Sequence, residues 1–194
     1  MNLFLIFIGA ALINNYVLTQ FLGMCPFFGV SKKTEMALGM GIAVIFVMLL
    51  ASVLTHLFYH LVLLPLNITY LQTIVFILII ASAVQFVEVY LKKTFYSLYA
   101  VLGIYIPLIT TNCAILGVTL INIQNDHTFM EAVINSIGAG TGFLLALILL
   151  AGIREKYDNN TDIPFVFRGF PLALFSAGIM SIAFMGFQGL VLGR

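Results

Sequence analysis

Two cysteines are the residues of this chain best suited to chemistry, and each opens the same short pattern. Cys25-Pro26-Phe27-Phe28-Gly29-Val30 and Cys113-Ala114-Ile115-Leu116-Gly117-Val118 both read C-x-x-x-G-V, and both fall in apolar stretches. A thiolate is a soft metal ligand, so the pair could hold iron. Two thiolates do not complete an iron–sulfur cluster, which normally takes four, and the missing two would have to come from another chain. Two other readings stay open on the residues alone. Each cysteine could be a small buried apolar side chain, or the two could form a disulfide, although neither lies clearly in an outer loop. Their separation matches no recognised ligand spacing, so spacing by itself favours the buried apolar role.

These cysteines must be positioned by membrane helices. The chain is 62% hydrophobic and 8% charged, against roughly 25% charged residues in soluble domains. Its apolar runs are long and lack period-2 alternation, which points to helices rather than barrel strands. The net charge of +1 offers no basic field for nucleic acid. The beginning, Met1-Asn2-Leu3-Phe4-Leu5, has no basic region, and its apolar run outlasts a signal peptide, so it reads as a first span. Trp is absent, which leaves Tyr59, Tyr70, Tyr90, Tyr96, Tyr99 and Tyr157 to form any aromatic belt near the helix ends.

Six spans are expected near residues 3–24, 37–60, 71–91, 98–121, 132–153 and 171–192. Residues 154–170, with six charges, Pro164 and Gly169, read as the one long connection. Lys32 and Lys33 follow the first span, Lys92 and Lys93 the third, and Arg154, Lys156 and Arg168 the fifth. The other two loops carry no Lys or Arg. The positive-inside rule makes the basic side cytoplasmic and places both termini outside.

Three spans per half would invert the second half relative to the first, if the halves are repeats. The doubled C-x-x-x-G-V supports a repeat. So does the echo of Ala37-Leu38-Gly39-Met40-Gly41 at the start of span two by Ser136-Ile137-Gly138-Ala139-Gly140 at the start of span five. The expected fold is therefore an all-α integral membrane protein with six transmembrane helices. It forms one membrane domain, 1–194, from two inverted three-helix repeats, 1–92 and 93–194.

Both cysteine segments carry helix breakers. Gly23 and Pro26 flank Cys25, and Pro26 biases Cys25 itself away from helical geometry. Gly103 and Pro107 precede Cys113, and Thr110-Thr111-Asn112 form a polar run beside it. Broken backbone survives in a bilayer only where protein buries it or it lines a polar cavity. Such breaks at matching positions of inverted halves point to a site near the midplane. Inverted halves would bring the two cysteines there from opposite faces.

Other polar residues have plainer explanations. Glu88 could serve an ion path, but Lys92 four residues later suggests an interfacial pair. His56 and His60 share a helix face without a third ligand and read as interfacial histidines. Gly138 and Gly142 make a small-x-x-x-small pattern for close helix packing, within the subunit or against a partner. No nucleophile, acid–base pair or nucleotide motif is visible, so the chain is not expected to be a complete enzyme alone.

Several stretches resemble a known family. They are Asn14-Asn15-Tyr16-Val17-Leu18, Phe21-Leu22-Gly23-Met24-Cys25-Pro26-Phe27, Val30-Ser31-Lys32-Lys33, Leu102-Gly103-Ile104, Pro107-Leu108-Ile109-Thr110-Thr111-Asn112-Cys113-Ala114, Ile153-Arg154-Glu155 and Ser181-Ile182-Ala183-Phe184-Met185-Gly186-Phe187. The family holds the A subunit of the Rnf electron-transport complex and the E subunit of the sodium-pumping NADH:quinone reductase. Asn14-Asn15 and Cys25-Pro26-Phe27 look more like the Rnf version. The resemblance spans essentially the whole chain. It implies a bacterial inner-membrane subunit of a complex that passes electrons between ferredoxin and NAD, coupled to Na⁺ or H⁺ translocation. It also implies a homologous six-helix partner of the RnfE type in opposite orientation, and a [2Fe–2S] cluster ligated by Cys25, Cys113 and two cysteines of that partner. The alternatives are the quinone-reductase subunit itself and, from another class, a small inverted-repeat secondary transporter.

Overall fold

The computed structural model describes residues 3–66, 69–94, 106–158 and 169–188. Those residues are helical with short breaks, and no strand occurs among them. Five stretches are long and apolar enough to cross a membrane: Thr34–Leu63, Gln72–Val89, Pro107–Gln124, Phe129–Tyr157 and Phe170–Phe187. A shorter apolar helix, Leu3–Ile13, precedes them. The chain is an all-α, multi-pass membrane protein.

The first expected span is in pieces. Helix α1 (Leu3–Ile13) ends in a π turn at Gly9–Ile13. Asn15 then caps α2 (Tyr16–Gln20), its side-chain oxygen accepting from the Val17 N–H at 3.1 Å. A second break follows at Phe21 and Gly23, both left-handed, and α3 (Met24–Val30) begins. The expectation that Pro26 would push Cys25 out of helical geometry is not met, because Cys25 lies inside α3. Pro26 sits in the first turn, where its missing N–H would have had no helical partner, so the chain breaks upstream instead.

Helix α4 (Thr34–Leu63) crosses next and closes in a π turn at Tyr59–Leu63. Helix α5 (Gln72–Thr94) returns to a pair of lysines. The fourth span is described from α6 (Ile106–Thr110) onward; it breaks at Thr111-Asn112 and resumes as α7 (Cys113–Gln124). Gly103 and the first part of that span lie outside the described residues. Helix α8 (Phe129–Asp158) is longer than the expected fifth span and carries Arg154, Glu155 and Lys156 as its last turns rather than in a loop. Its other end has a capping box in which the Thr128 N–H and hydroxyl both donate to Glu131, at 3.0 and 2.9 Å. The breaker Pro164 lies outside the described residues. Helix α9 (Phe170–Gln188) completes the described set.

Helix α8 is the centre of the bundle. Of its apolar stretch, 56% is buried, against 17% for α5 and 22% for α9. Phe143, Ala146, Leu147, Leu150 and Ala151 of α8 are fully buried, alongside Val44 and Met48 of α4 and Ile115 and Val118 of α7. Glycines let the neighbours close in. A Cβ at Gly138 would lie 2.8 Å from the Phe7 carbonyl oxygen, and one at Gly142 would lie 2.7 Å from that of Ala11. One at Gly140 would lie 2.9 Å from Ile45. The Gly138/Gly142 pattern thus packs α8 against α1 within the subunit. The periphery is apolar, with Leu78, Phe86 and Val89 on α5 and Phe175, Ile179 and Ile182 on α9 all exposed. Apolar surface of that extent suits lipid or protein neighbours, not water.

Candidate functional site

Cys25 and Cys113 each occupy the first turn of a helix, and the two helices start at adjoining breaks. The Gly23 N–H, two residues before Cys25, donates to Cys113 Sγ at 2.9 Å. Segments 90 positions apart therefore meet at the cysteines. Helix α3 runs from this junction toward Lys32-Lys33, and α7 runs toward Asn125 at the opposite end of the bundle. At 1.5 Å per residue, α3 and α7 end to end span about 28 Å, close to the thickness of a bilayer's hydrocarbon core. The junction thus falls within the membrane-spanning part of the molecule, nearer the basic end.

Local sequence explains how each thiol is placed. Asn112 caps α7, its side-chain oxygen accepting from the Ala114 N–H at 3.0 Å. The capping makes Cys113 the first helical residue. On the other side of the junction, Gly23 takes φ +82°, which L side chains rarely adopt. A Cβ there would lie 2.9 Å from the Phe143 ring, 3.1 Å from Ala114 Cβ and 3.2 Å from Asn112 Oδ1. Only glycine lets these two breaks close on each other. Asn15 secures the upstream break, donating to the Gly142 carbonyl at 2.9 Å. Ser181 of α9 donates to the Leu18 carbonyl of α2 at 2.6 Å.

Both thiols are free and exposed. Free cysteine is among the most buried residue types, so two exposed thiols within the spans are unusual for structural cysteines. The buried apolar reading is therefore not what the structure places here, and neither is a disulfide. Among the described residues, no group of three or more His, Cys, Asp or Glu side chains could hold a metal ion within this chain. The two exposed thiols and the backbone N–H already donated to one of them suit half of a thiolate-ligated group. They do not suit a complete one.

The remaining candidates lie elsewhere. His56 and His60 sit toward the opposite end of α4 with ring centroids 4.5 Å apart, and His56 Nε2 lies 3.2 Å from the His127 carbonyl oxygen. Nearby, Asn122 of α7 donates to Ser52 and Ser136 at 3.1 and 3.2 Å and accepts from Asn135 at 2.6 Å. Glu88 on α5 is half-buried. Sequence reasoning missed Arg154, which donates to the Phe28 carbonyl at 2.9 Å and to Ser31 Oγ at 2.8 Å, at the end of the Cys25 helix. The sequence marked Arg154 as a topology-setting charge and as part of the family-like Ile153-Arg154-Glu155, not as a helix anchor.

Comparison with known proteins supplies the family. The model of the family described as "Rnf-Nqr subunit, membrane protein" matches residues 3–191. A relative from Acetobacterium woodii, named as the A subunit of the Na⁺-translocating ferredoxin:NAD⁺ oxidoreductase complex, is 56% identical over 193 residues, essentially the full length of each chain. Relatives named as the A subunit of an ion-translocating oxidoreductase complex are 54% identical in Cronobacter sakazakii, over 96% of each chain, and 53% in Syntrophotalea carbinolica, over 99% of each. With a helical bundle of membrane-spanning length and a match along nearly every residue, the chain belongs to the Rnf-Nqr family of membrane subunits.

Proposed function

We propose that this chain is the A-type membrane subunit of an ion-translocating ferredoxin:NAD oxidoreductase complex, and that Cys25 and Cys113 supply half the ligands of a [2Fe–2S] cluster within the bilayer. The observation that carries the reading is the junction of the two cysteine-bearing helix starts, joined by the Gly23 N–H to Cys113 Sγ bond, with both thiols exposed. The full-length similarity to subunits of ion-translocating oxidoreductases supports the assembly.

When bound, such a cluster accepts and releases one electron. The chain's own groups hold and tune it. Cys25 and Cys113 are its ligands here, and the other two thiolates come from a homologous six-helix partner of the RnfE type in opposite orientation. The Gly23 N–H stays aimed at a ligand sulfur, and hydrogen bonds to such sulfurs help set the reduction potential. Phe27, Ala114 and Ile115, all buried beside the cysteines, close the protein side against water. A bare charged group at this depth would be costly, and that cost is offset when two subunits enclose it.

The opposite directions of α3 and α7 fit halves 1–92 and 93–194 as inverted repeats. The basic end faces the cytoplasm of the bacterial inner membrane and both termini lie outside, by the positive-inside rule. The coupled ion is Na⁺ or H⁺. The test is the complex in proteoliposomes with reduced ferredoxin and NAD. Cys25→Ser and Cys113→Ser are each expected to lower NAD reduction and coupled ion uptake by more than about 100-fold, beyond the loss typical of outer-shell metal-site variants. Turnover within twofold of wild type in both variants would overturn the reading. Solute uptake by the isolated chain would favour a secondary transporter instead.

A further inference from the structure

The two cysteine helices are held at their far ends as well as at their starts, and in both cases the anchor is α8. At the basic end, the Arg154 guanidinium donates to the Phe28 carbonyl at 2.9 Å and to Ser31 Oγ at 2.8 Å. Phe28 lies in the last turn of α3, and Ser31 is its C-cap. The last carbonyls of a helix have no partner within it, and a cation there is favourable on both hydrogen-bonding and electrostatic grounds. Ser31 is fully buried, so the guanidinium reaches into the bundle. One turn of the chain away, Thr34 donates to Glu155 at 3.1 Å, fastening the start of α4 to the same end of α8.

At the opposite end, Asn122 in the last turns of α7 is buried and bonded on all sides to α8 and its neighbour. Its amide nitrogen, with two hydrogens to donate, lies 3.3 Å from the Ala132 carbonyl oxygen, 3.2 Å from Ser136 Oγ and 3.1 Å from Ser52 Oγ. Its oxygen accepts from Asn135 at 2.6 Å and lies 3.3 Å from His127 Nδ1. Breaking one member of such a network leaves buried polar atoms unpaired, which costs more than the bond itself contributes.

Asn135 and Arg154 are 19 residues apart on one continuous helix, about 28 Å along its axis. We infer that Arg154 and Asn122 are positioning residues, which use α8 as a rigid strut to set the placement of Cys25 relative to Cys113. The inference rests on the proposed cluster reading. With both helix starts broken, α3 and α7 are joined through the contacts of the junction rather than by continuous helix, and their reach toward each other takes a further constraint from their far ends. The anchors at their far ends, with the Gly23 N–H to Cys113 Sγ bond, supply that constraint.

The test uses the assembled complex carrying Arg154→Gln, Ser31→Ala or Asn122→Ser, with Cys25→Ala beside them. The readouts are EPR g values of the reduced intramembrane cluster and the iron retained after a chelator challenge, each per mole of assembled complex. A merely structural role would lower the yield of complex and leave the g values alone. Arg154→Gln and Asn122→Ser are expected to shift the g values and to reduce retained iron by up to about tenfold, the lower end of what losing a ligand-orienting contact costs in metal affinity. Ser31→Ala removes one acceptor, should shift the signal less, and decides the matter if Arg154→Gln fails to assemble. Wild-type g values and iron in assembled Arg154→Gln and Asn122→Ser, or in Ser31→Ala if neither assembles, would overturn the inference. An unchanged signal in Cys25→Ala would instead overturn the cluster reading itself.

Discussion

Replacing Gly23 by alanine should damage stability and site together, and its cost can be worked from the structure. At φ +82° an L residue sits in the left-handed region, a penalty of roughly 1–2 kcal/mol. The new Cβ would also lie 2.9 Å from Phe143 Cε2 and 3.1 Å from Ala114 Cβ. Neither neighbour has room to retreat, because Phe143 and Ala114 are each only 1% exposed. Overpacking a filled core typically costs about 1–3 kcal/mol. The sum is about 2–5 kcal/mol, a large share of a typical stability margin. Gly39, inside α4, is the control, because a Cβ there meets nothing within 4 Å. Alanine at 39 should be neutral or stabilise by up to about 1 kcal/mol through helix propensity. The assay is SDS-titrated unfolding of the purified complex, followed by iron content of the folded fraction. Gly23→Ala should unfold at lower denaturant and hold less iron, since moving residue 23 displaces the N–H from Cys113 Sγ. A Gly23→Ala protein as stable as Gly39→Ala would refute the account of how the two breaks close.

Asn15→Ala should destabilise by about 1–3 kcal/mol, from a lost helix cap and a lost buried bond to the Gly142 carbonyl. Asn14→Ala, at an exposed position, should stay within about 0.5 kcal/mol of wild type, as surface substitutions usually do; the same SDS titration reads both. Gly142→Ala should cost about 1–3 kcal/mol, because its Cβ would meet the Ala11 carbonyl at 2.7 Å and backbone cannot move aside as a side chain can. Gly152→Ala on the same helix, with nothing within 4 Å, should show no loss.

The spans were legible in the sequence because a bilayer sets their length and forbids unpaired backbone. The two breaks were legible as well, since Gly23 stands close to Pro26 and Thr111-Asn112 form a polar pair within an apolar span. The basic end was readable from Lys32, Lys33 and Arg154, and the Arg154 to Ser31 bond places those segments together. What escaped was decided by long-range contact. Pro26 carries the same local bias whether it ends a helix or begins one, and only the upstream turn at Gly23 shows which. Arg154, Glu155 and Lys156 look like loop residues by polarity, yet α8 continues through them because Phe28, Ser31 and Thr34 give Arg154 and Glu155 partners. Asn122 gives no local sign of its role, since its partners Asn135 and Ser136 lie on the next helix. On the proposed reading, the shortage of ligands visible in the sequence and the exposure of both thiols have one cause, a site completed by a partner.

The most direct measurement is the EPR spectrum and iron content of the assembled complex, reduced under identical conditions, for wild type, Cys25→Ala and Cys113→Ala. Each variant alone should lose the intramembrane [2Fe–2S] signal and two irons per complex, a cluster's complement. An unchanged signal with unchanged iron in both variants would contradict the cluster reading.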